Sequence, residues 1–111
     1  MTDTQPSPRS IPAAELAETL STTETLLVVF QTNGCSICAS MEPVVSNVAR
    51  ETGVETVFVN PRDPPGLVTD YEIRSVPTLA VFRDGREVGR LAEGFVPGEE
   101  LTAFVREHAP S

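Results

Sequence analysis

The two cysteines of this 111-residue chain stand three residues apart, in the segment Cys35-Ser36-Ile37-Cys38. They lie where a predicted apolar strand passes into a predicted helix, which places Cys35 at the helix N-terminus. Unpaired backbone N–H groups and the helix dipole stabilise a thiolate there and lower its pKa. Cys38, one turn further on the same side, lies within the roughly 4.4–6.8 Å Cα separation that a disulfide requires. The spacing therefore favours thiol–disulfide exchange, with Cys35 attacking and Cys38 resolving the mixed disulfide.

The same spacing is compatible with three other roles. A Cys-x-x-Cys pair is half of a structural zinc site, but a closed site needs four ligands and the single histidine, His108, is far along the chain. Two cysteines from each chain of a homodimer would suffice for a bridging zinc ion or iron–sulfur cluster. The pair can also be two inert buried thiols, since free cysteine behaves as a small hydrophobic residue.

The elements around the cysteines are predicted from apolar periodicity. Residues 26–30 form an unbroken apolar run, as in a central parallel strand buried on both faces. After a polar turn, apolar residues recur at helical spacing from Cys38 until Gly53, a predicted helix terminator. Pro43 falls inside this helix.

Further elements follow on either side of this strand–helix unit. They are a short helix after Ser10, a strand over 54–59, a short helix over 67–71, strands over 78–82 and 87–91 around the turn Asp84-Gly85, and a helix from Pro97. This order predicts an α/β fold, with a small mixed central sheet of about four strands flanked by helices on both faces.

Length and composition set the domain organisation. A chain of 111 residues with 40% hydrophobic residues suffices for one domain with a core. Residues 1–10 carry two prolines and little to bury, so we expect a flexible N-terminal arm before a domain over residues 11–111. The prolines also argue against an edge strand in this arm.

The net charge of −8 restricts the partners. The chain has sixteen acidic residues and only eight basic ones, all arginine. Nucleic acids and anionic membranes are therefore not expected as partners. A lysine-free acidic surface fits either a high-salt cytosol or a GC-rich genome. With no secretion signal or membrane span recognisable, we expect a cytoplasmic protein.

Several segments together resemble the thioredoxin family from about residue 12 onward. They are LLVVFQTNGCSICASMEPVV, VFVNPRD, YEIRSVPTLAVFRDGREV and GFVPGEELTAFV, which contain the cysteine pair, Pro43, Val76-Pro77-Thr78, Asp84-Gly85 and Gly94 in the family's order. The resemblance implies a thioredoxin fold in which Pro77 is cis and faces the disulfide, while the backbone of Val76 pairs with an extended substrate segment.

The resemblance also implies how the protein works. Cys35 and Cys38 are the expected catalytic residues, and no metal or organic cofactor is needed because the electrons reside in the redox-active disulfide. Expected partners are protein disulfides and a reductase or dithiol donor, with the protein acting as a monomer. The expected substrate-binding residues are Gly34, Ser36, Ile37, Val76, Pro77 and Gly94.

The chain departs from the family at four places near the cysteines. Gly34 replaces the usual tryptophan, and Ser36-Ile37 replaces Gly-Pro. Val29 and Phe58 occupy the positions of a buried aspartate and its lysine partner. Losing the acid that moves the proton of the resolving thiol predicts a slower exchanger, since such assistance is typically worth about 10²–10⁴-fold. Losing the proline predicts a reduction potential less negative than the roughly −270 mV of thioredoxin.

These departures keep a second function open. In that alternative the fold is a binding or redox-sensor module, and the cysteine pair bridges a metal or a partner without turning over. A partner-dependent or metal-dependent dimer would distinguish it from an enzyme that turns over as a monomer.

Overall fold

The computed structural model describes residues 8–62 and 66–109, which contain a five-stranded mixed sheet covered by helices on both faces. The strands lie in the order β1-β3-β2-β4-β5 across the sheet. Their bounds are β1 Arg9–Ser10, β2 Thr25–Phe30, β3 Glu55–Val59, β4 Thr78–Arg83 and β5 Arg86–Leu91. The expected α/β class is confirmed, and the sheet has one strand more than expected.

Strand β2 is central because its side chains are apolar on both faces. Leu27 and Val29 lie in one core cluster, whereas Leu26, Val28 and Phe30 lie in the other. Strand β2 pairs parallel with β3 and antiparallel with β4. The unbroken apolar run thus has the doubly buried position that the sequence predicted.

The helices cover the two faces of the sheet. They are a 3-10 helix Ala13–Glu15, α1 Leu16–Thr22, α2 Ser36–Thr52, α3 Gly66–Asp70 and α4 Gly98–His108. Helices α2 and α4 supply one cluster, and the 3-10 helix and α1 supply the other. Helix α2 continues through Pro43 and ends at Gly53, whose φ of 77° closes it in the left-handed conformation.

The Asp84-Gly85 turn joins β4 and β5 as predicted. Both residues have positive φ, 53° and 82°, as a type I′ turn requires. The Asp84 N–H also donates to the carbonyl of Glu24, which ties the turn to the connection between α1 and β2. The hairpin therefore makes β5 antiparallel to β4, so that β5 ends beside the residues where β4 begins.

The prediction of a flexible arm over residues 1–10 is wrong for its last two residues, Arg9 and Ser10. Arg9 and Ser10 form β1, which pairs parallel with Val57 and Phe58 of β3. The N–H of Ile11 continues the pairing to the carbonyl of Phe58, so Ser10 belongs to a strand. Proline excludes only positions whose N–H the sheet needs, and both paired residues have an N–H. Residues 1–7 lie outside the described residues.

Candidate active site

One edge of the sheet gathers the segments expected to act together. Phe30, the last residue of β2, lies opposite Thr78, the first residue of β4. Leu91, the last residue of β5, lies opposite Leu79. The cysteine segment after β2, the Val76-Pro77 segment before β4 and the Gly94 segment after β5 therefore emerge at the same edge.

Cys35 is the N-cap residue of α2. Its backbone is extended, with φ −91° and ψ 109°, and the N–H of Cys38 donates to its Sγ at 3.1 Å. A sulfur thus takes the role that a serine or aspartate oxygen usually has at a helix start. Both cysteines are free thiols in this structure, Cys35 half-buried and Cys38 buried.

The pKa of Cys35 is lowered from its ordinary value. The largest cause is a hydrogen bond from the Cys38 thiol, and the backbone N–H groups of Cys38 and Ile37 add to it. These donors stabilise the thiolate, and partial burial opposes them. Cys35 is therefore the thiol of the pair that ionises more readily.

The pKa of Cys38 is raised to about 11. Burial is the largest cause, and the hydrogen bond to Cys35 also keeps the proton on Cys38. The backbone of Thr32 opposes this by hydrogen bonding to the sulfur. The two pKa shifts therefore have opposite directions, and Cys35 is the thiol that loses its proton first as the pH rises.

The two positions that carry the family's aspartate and lysine lie directly opposite each other. Val29 of β2 and Phe58 of β3 are register partners. Val29 is fully buried in the cluster that contains Met41 and Val45 of α2, and Phe58 packs against that cluster. Apolar packing thus replaces an ion pair, which avoids the cost of burying charges, but neither of these two side chains can accept a proton.

The Val76–Pro77 peptide bond is cis, as the resemblance implied. Pro77 is buried and Val76 is half-buried. The hydroxyl of Thr78 donates to the carbonyl of Ser75 at 2.7 Å, which ties the segment before the proline to the start of β4. This segment is therefore held at the sheet edge where the cysteines lie.

The other expected site residues are mostly exposed. Gly34 and Ser36 flank Cys35 at the surface, and Ile37 in the first turn of α2 is 44% exposed. Gly34 and Gly94 have φ of 80° and 90°, and a Cβ added at either would meet no atom within 4 Å. Glycine is needed at both positions for its backbone conformation rather than for space.

Two contacts near the site were not predicted from the sequence. The buried N–H of Val96 donates to Sδ of Met41 at 3.3 Å, which holds the segment after Gly94 against α2. The Gln31 amide donates to the Glu42 carboxylate at 3.4 Å and so links the end of β2 to α2. Helical periodicity placed Met41 in the core, but no local signal reveals a partner 55 residues away.

Among residues 8–62 and 66–109, no group of three or more His, Cys, Asp or Glu side chains is arranged to hold a metal ion. No helix within the same ranges has the length and apolar character needed to cross a membrane.

A cysteine with a lowered pKa at a helix start, with its partner buried one turn on, defines a dithiol site, here at the end of a mixed sheet covered by helices. The chain belongs to the thioredoxin family, whose sequence model, described as "Thioredoxin", matches residues 9–107. Thioredoxin 1 of Synechococcus elongatus is 34% identical over 93 residues, covering 82% of this chain and 86% of that protein. Thioredoxin of Mycoplasmoides gallisepticum is 34% identical over 94 residues, covering 84% and 93%. As a member of this family, the chain is a thiol–disulfide oxidoreductase.

Solved structures agree with this assignment. A thioredoxin variant from Halobacterium salinarum superposes with a TM-score of 0.87 at 25% identity, covering all of this chain and 98% of the other. The oxidised thioredoxin of Plasmodium falciparum has a TM-score of 0.81 at 21% identity, covering 93% and 99%, and shows the fold alone.

Proposed function

We propose that this protein reduces disulfides in protein substrates, with Cys35 as the nucleophile and Cys38 as the resolving thiol. The asymmetry of the pair carries this proposal. Cys35 has a lowered pKa at the start of α2, whereas Cys38 is buried with a raised pKa. An exchanger needs one thiol that is ionised before the substrate arrives and one that acts afterwards.

The reaction has two steps. The Cys35 thiolate attacks one sulfur of the substrate disulfide, forming a Cys35–substrate disulfide and releasing the other substrate sulfur as a thiolate. Cys38 then loses its proton and attacks the Cys35 sulfur, which breaks the mixed disulfide and releases the second substrate thiolate. Two electrons pass to the substrate, and the protein is left with a Cys35–Cys38 disulfide.

Substrate docking is assigned to the residues around Cys35. The residues that would contact the substrate are Gly34, Ser36, Ile37, Val76, Pro77 and Gly94. An extended substrate segment would hydrogen bond to the backbone of Val76, in the manner of an added β-strand. The exposed side chains of Ile37 and Phe95, 44% and 49% exposed, would provide apolar contacts beside it.

The remaining steps require no bound organic cofactor or metal. Electrons return from a dithiol donor or a reductase, which reduces the Cys35–Cys38 disulfide by the same exchange in reverse. Because Val29 cannot accept a proton where other thioredoxins have the aspartate, the second step is slower than in those proteins. Action as a monomer and a cytoplasmic location are also part of the proposal.

The test is reduction of insulin disulfides by metal-free protein, with dithiothreitol as the electron source. The wild type should turn over above the dithiothreitol background, and Cys35→Ser should return the rate to background. Wild-type turnover equal to that of Cys35→Ser would contradict the proposal. In that case size-exclusion chromatography with and without zinc would test the metal-bridged dimer.

A further inference from the structure

The segment between α3 and β4, residues 71–77, carries the backbone of Val76 on which the proposed docking depends. It contains no regular secondary structure. Glu72 has a positive φ of 53° and closes α3: its N–H donates to the carbonyl of Thr69, and the N–H of Ile73 donates to the carbonyl of Val68. These bonds tie the start of the segment to α3.

Arg90 of β5 also contacts the backbone at the start of this segment. Its Nη1 donates to the carbonyl of Glu72 at 3.0 Å, and its Nη2 donates to the carbonyl of Tyr71 at 2.8 Å. These carbonyls lie 18 and 19 residues from Arg90 in sequence. The contact therefore joins strand β5 to the segment that precedes β4. The guanidinium thus binds two consecutive carbonyls of the segment.

Glu87 orients this guanidinium from the same strand. Its carboxylate accepts from Nε of Arg90 at 2.7 Å and from Nη2 at 2.8 Å. The Arg90 side chain is only 27% exposed, so the arrangement is partly shielded from water. A planar guanidinium has enough donors to satisfy the carboxylate and both carbonyls together, whereas a lysine ammonium has three donors and no fixed plane.

The side chain of Tyr71 also anchors the start of the segment, by packing against aromatic rings of the core. Its ring lies 5.8 Å from that of Phe30 and 6.1 Å from that of Phe82, measured between centroids. The backbone carbonyl of Tyr71 is thus held by Arg90 while its side chain is held by two core rings. Phe30 is the last residue of β2, so this anchor lies directly beside the strand that leads to Cys35.

We infer that Arg90 is a positioning residue for substrate docking, which holds residues 71–77 so that the backbone of Val76 is presented to a protein substrate. The inference rests on the proposed function, because it assumes that substrates dock along Val76. Arg90 does not touch the reacting sulfurs. Its loss should therefore affect substrates that need the docking segment and leave small disulfides unaffected.

The experiment compares two substrates in Arg90→Met, Arg90→Lys and the control Arg86→Met. Arg86→Met removes the same charge from the exposed start of the same strand. The substrates are insulin, which needs docking, and 2,2′-dithiodipyridine, a small disulfide that needs none. Steady-state kinetics give KM and kcat for insulin, a stopped-flow trace gives the rate with the small disulfide, and urea unfolding gives stability.

Arg90→Met should raise KM for insulin by about tenfold and leave the small-disulfide rate within twofold of the wild type. Arg90→Lys should recover part of the loss, and Arg86→Met should match the wild type. An unchanged KM in a folded Arg90→Met variant would overturn the inference, as would an equal loss with both substrates. Absence of insulin turnover in the wild type would instead contradict the proposed function itself.

Discussion

The N–H of Cys38 donates to Sγ of Cys35 at 3.1 Å, and the Cys38 thiol also hydrogen bonds to the same sulfur. Cys38 thus stabilises the thiolate of Cys35 while keeping its own proton. The hydrogen bond between the two sulfurs is the largest cause of the lowered pKa of Cys35 and one cause of the raised pKa of Cys38. This geometry supports the proposed order of the two chemical steps.

The first prediction concerns the pH dependence of alkylation by iodoacetamide. Only a thiolate reacts, so each rate rises with pH as its thiol ionises. In Cys38→Ala the rate at Cys35 should still rise below the ordinary cysteine pKa, because the backbone N–H groups at the helix start remain. In Cys35→Ala the rate at Cys38 should rise only above the ordinary value, because burial is the largest cause of its shift. Overlapping profiles would contradict the assigned asymmetry.

A second prediction restores the family's buried pair at Val29 and Phe58. Val29→Asp places a carboxylate in a fully buried position and should destabilise the fold by several kcal/mol. Adding Phe58→Lys, its register partner, should recover part of that loss. The double variant should also release substrate from the mixed disulfide faster than the wild type, because a carboxylate becomes available to accept the Cys38 proton.

The control for this pair is Val29→Asn, which is polar but cannot accept a proton at neutral pH. It should destabilise the fold without accelerating release. Urea unfolding of the single and double variants measures the coupling, and a quenched time course measures release. Additive effects on stability together with an unchanged release rate would count against the role assigned to Val29.

The third prediction concerns the sulfur of Met41. Met41→Leu keeps the volume but leaves the buried N–H of Val96 without its acceptor, which should cost about 1–3 kcal/mol. Hydrogen exchange at the Val96 amide should accelerate more than at other buried amides of the same cluster. Leu101→Met, a volume-conserving change in that cluster, serves as the control. Slow Val96 exchange in Met41→Leu would show that the contact with sulfur is dispensable.

The fourth prediction concerns salt. At a net charge of −8 the folded chain repels itself, and the Cα radius of gyration of 12.9 Å is comparable with the Debye length of about 10 Å at 0.1 M salt. Raising sodium chloride to 1 M, where the Debye length is about 3 Å, should therefore raise Tm. A variant with the exposed residues Glu18, Glu93 and Glu107 changed to Gln should show a smaller increase. Equal increases in both proteins would remove self-repulsion as the cause.

Local patterns in the sequence predicted the parts of the fold that local forces determine. The apolar run at 26–30 predicted the central strand, and the helical spacing after Cys35 predicted α2 with its end at Gly53. The placement of Cys35 at the helix start followed from these two elements alone. The resemblance to a family then added the cis bond before Pro77, which local chemistry does not determine.

Contacts between distant parts of the chain were not predictable in the same way. Strand β1 has only two residues, and it forms because Arg9 and Ser10 meet the open edge of β3, a partner no local pattern reveals. The bonds from Arg90 to the carbonyls of Tyr71 and Glu72 likewise form only because the β4–β5 hairpin places Arg90 beside the segment that precedes β4. Arginine side chains and backbone carbonyls carry no sequence signal for such pairing.

The most direct test of the account is to trap the mixed disulfide. Cys38→Ser and Cys35→Ser proteins are mixed separately with a disulfide-containing protein substrate, quenched with acid and digested for mass spectrometry. Cys38→Ser should accumulate a disulfide between Cys35 and the substrate, because nothing resolves it, and Cys35→Ser should accumulate almost none through Cys38. Accumulation through Cys38 at a comparable rate would contradict the assignment of Cys35 as the attacking thiol.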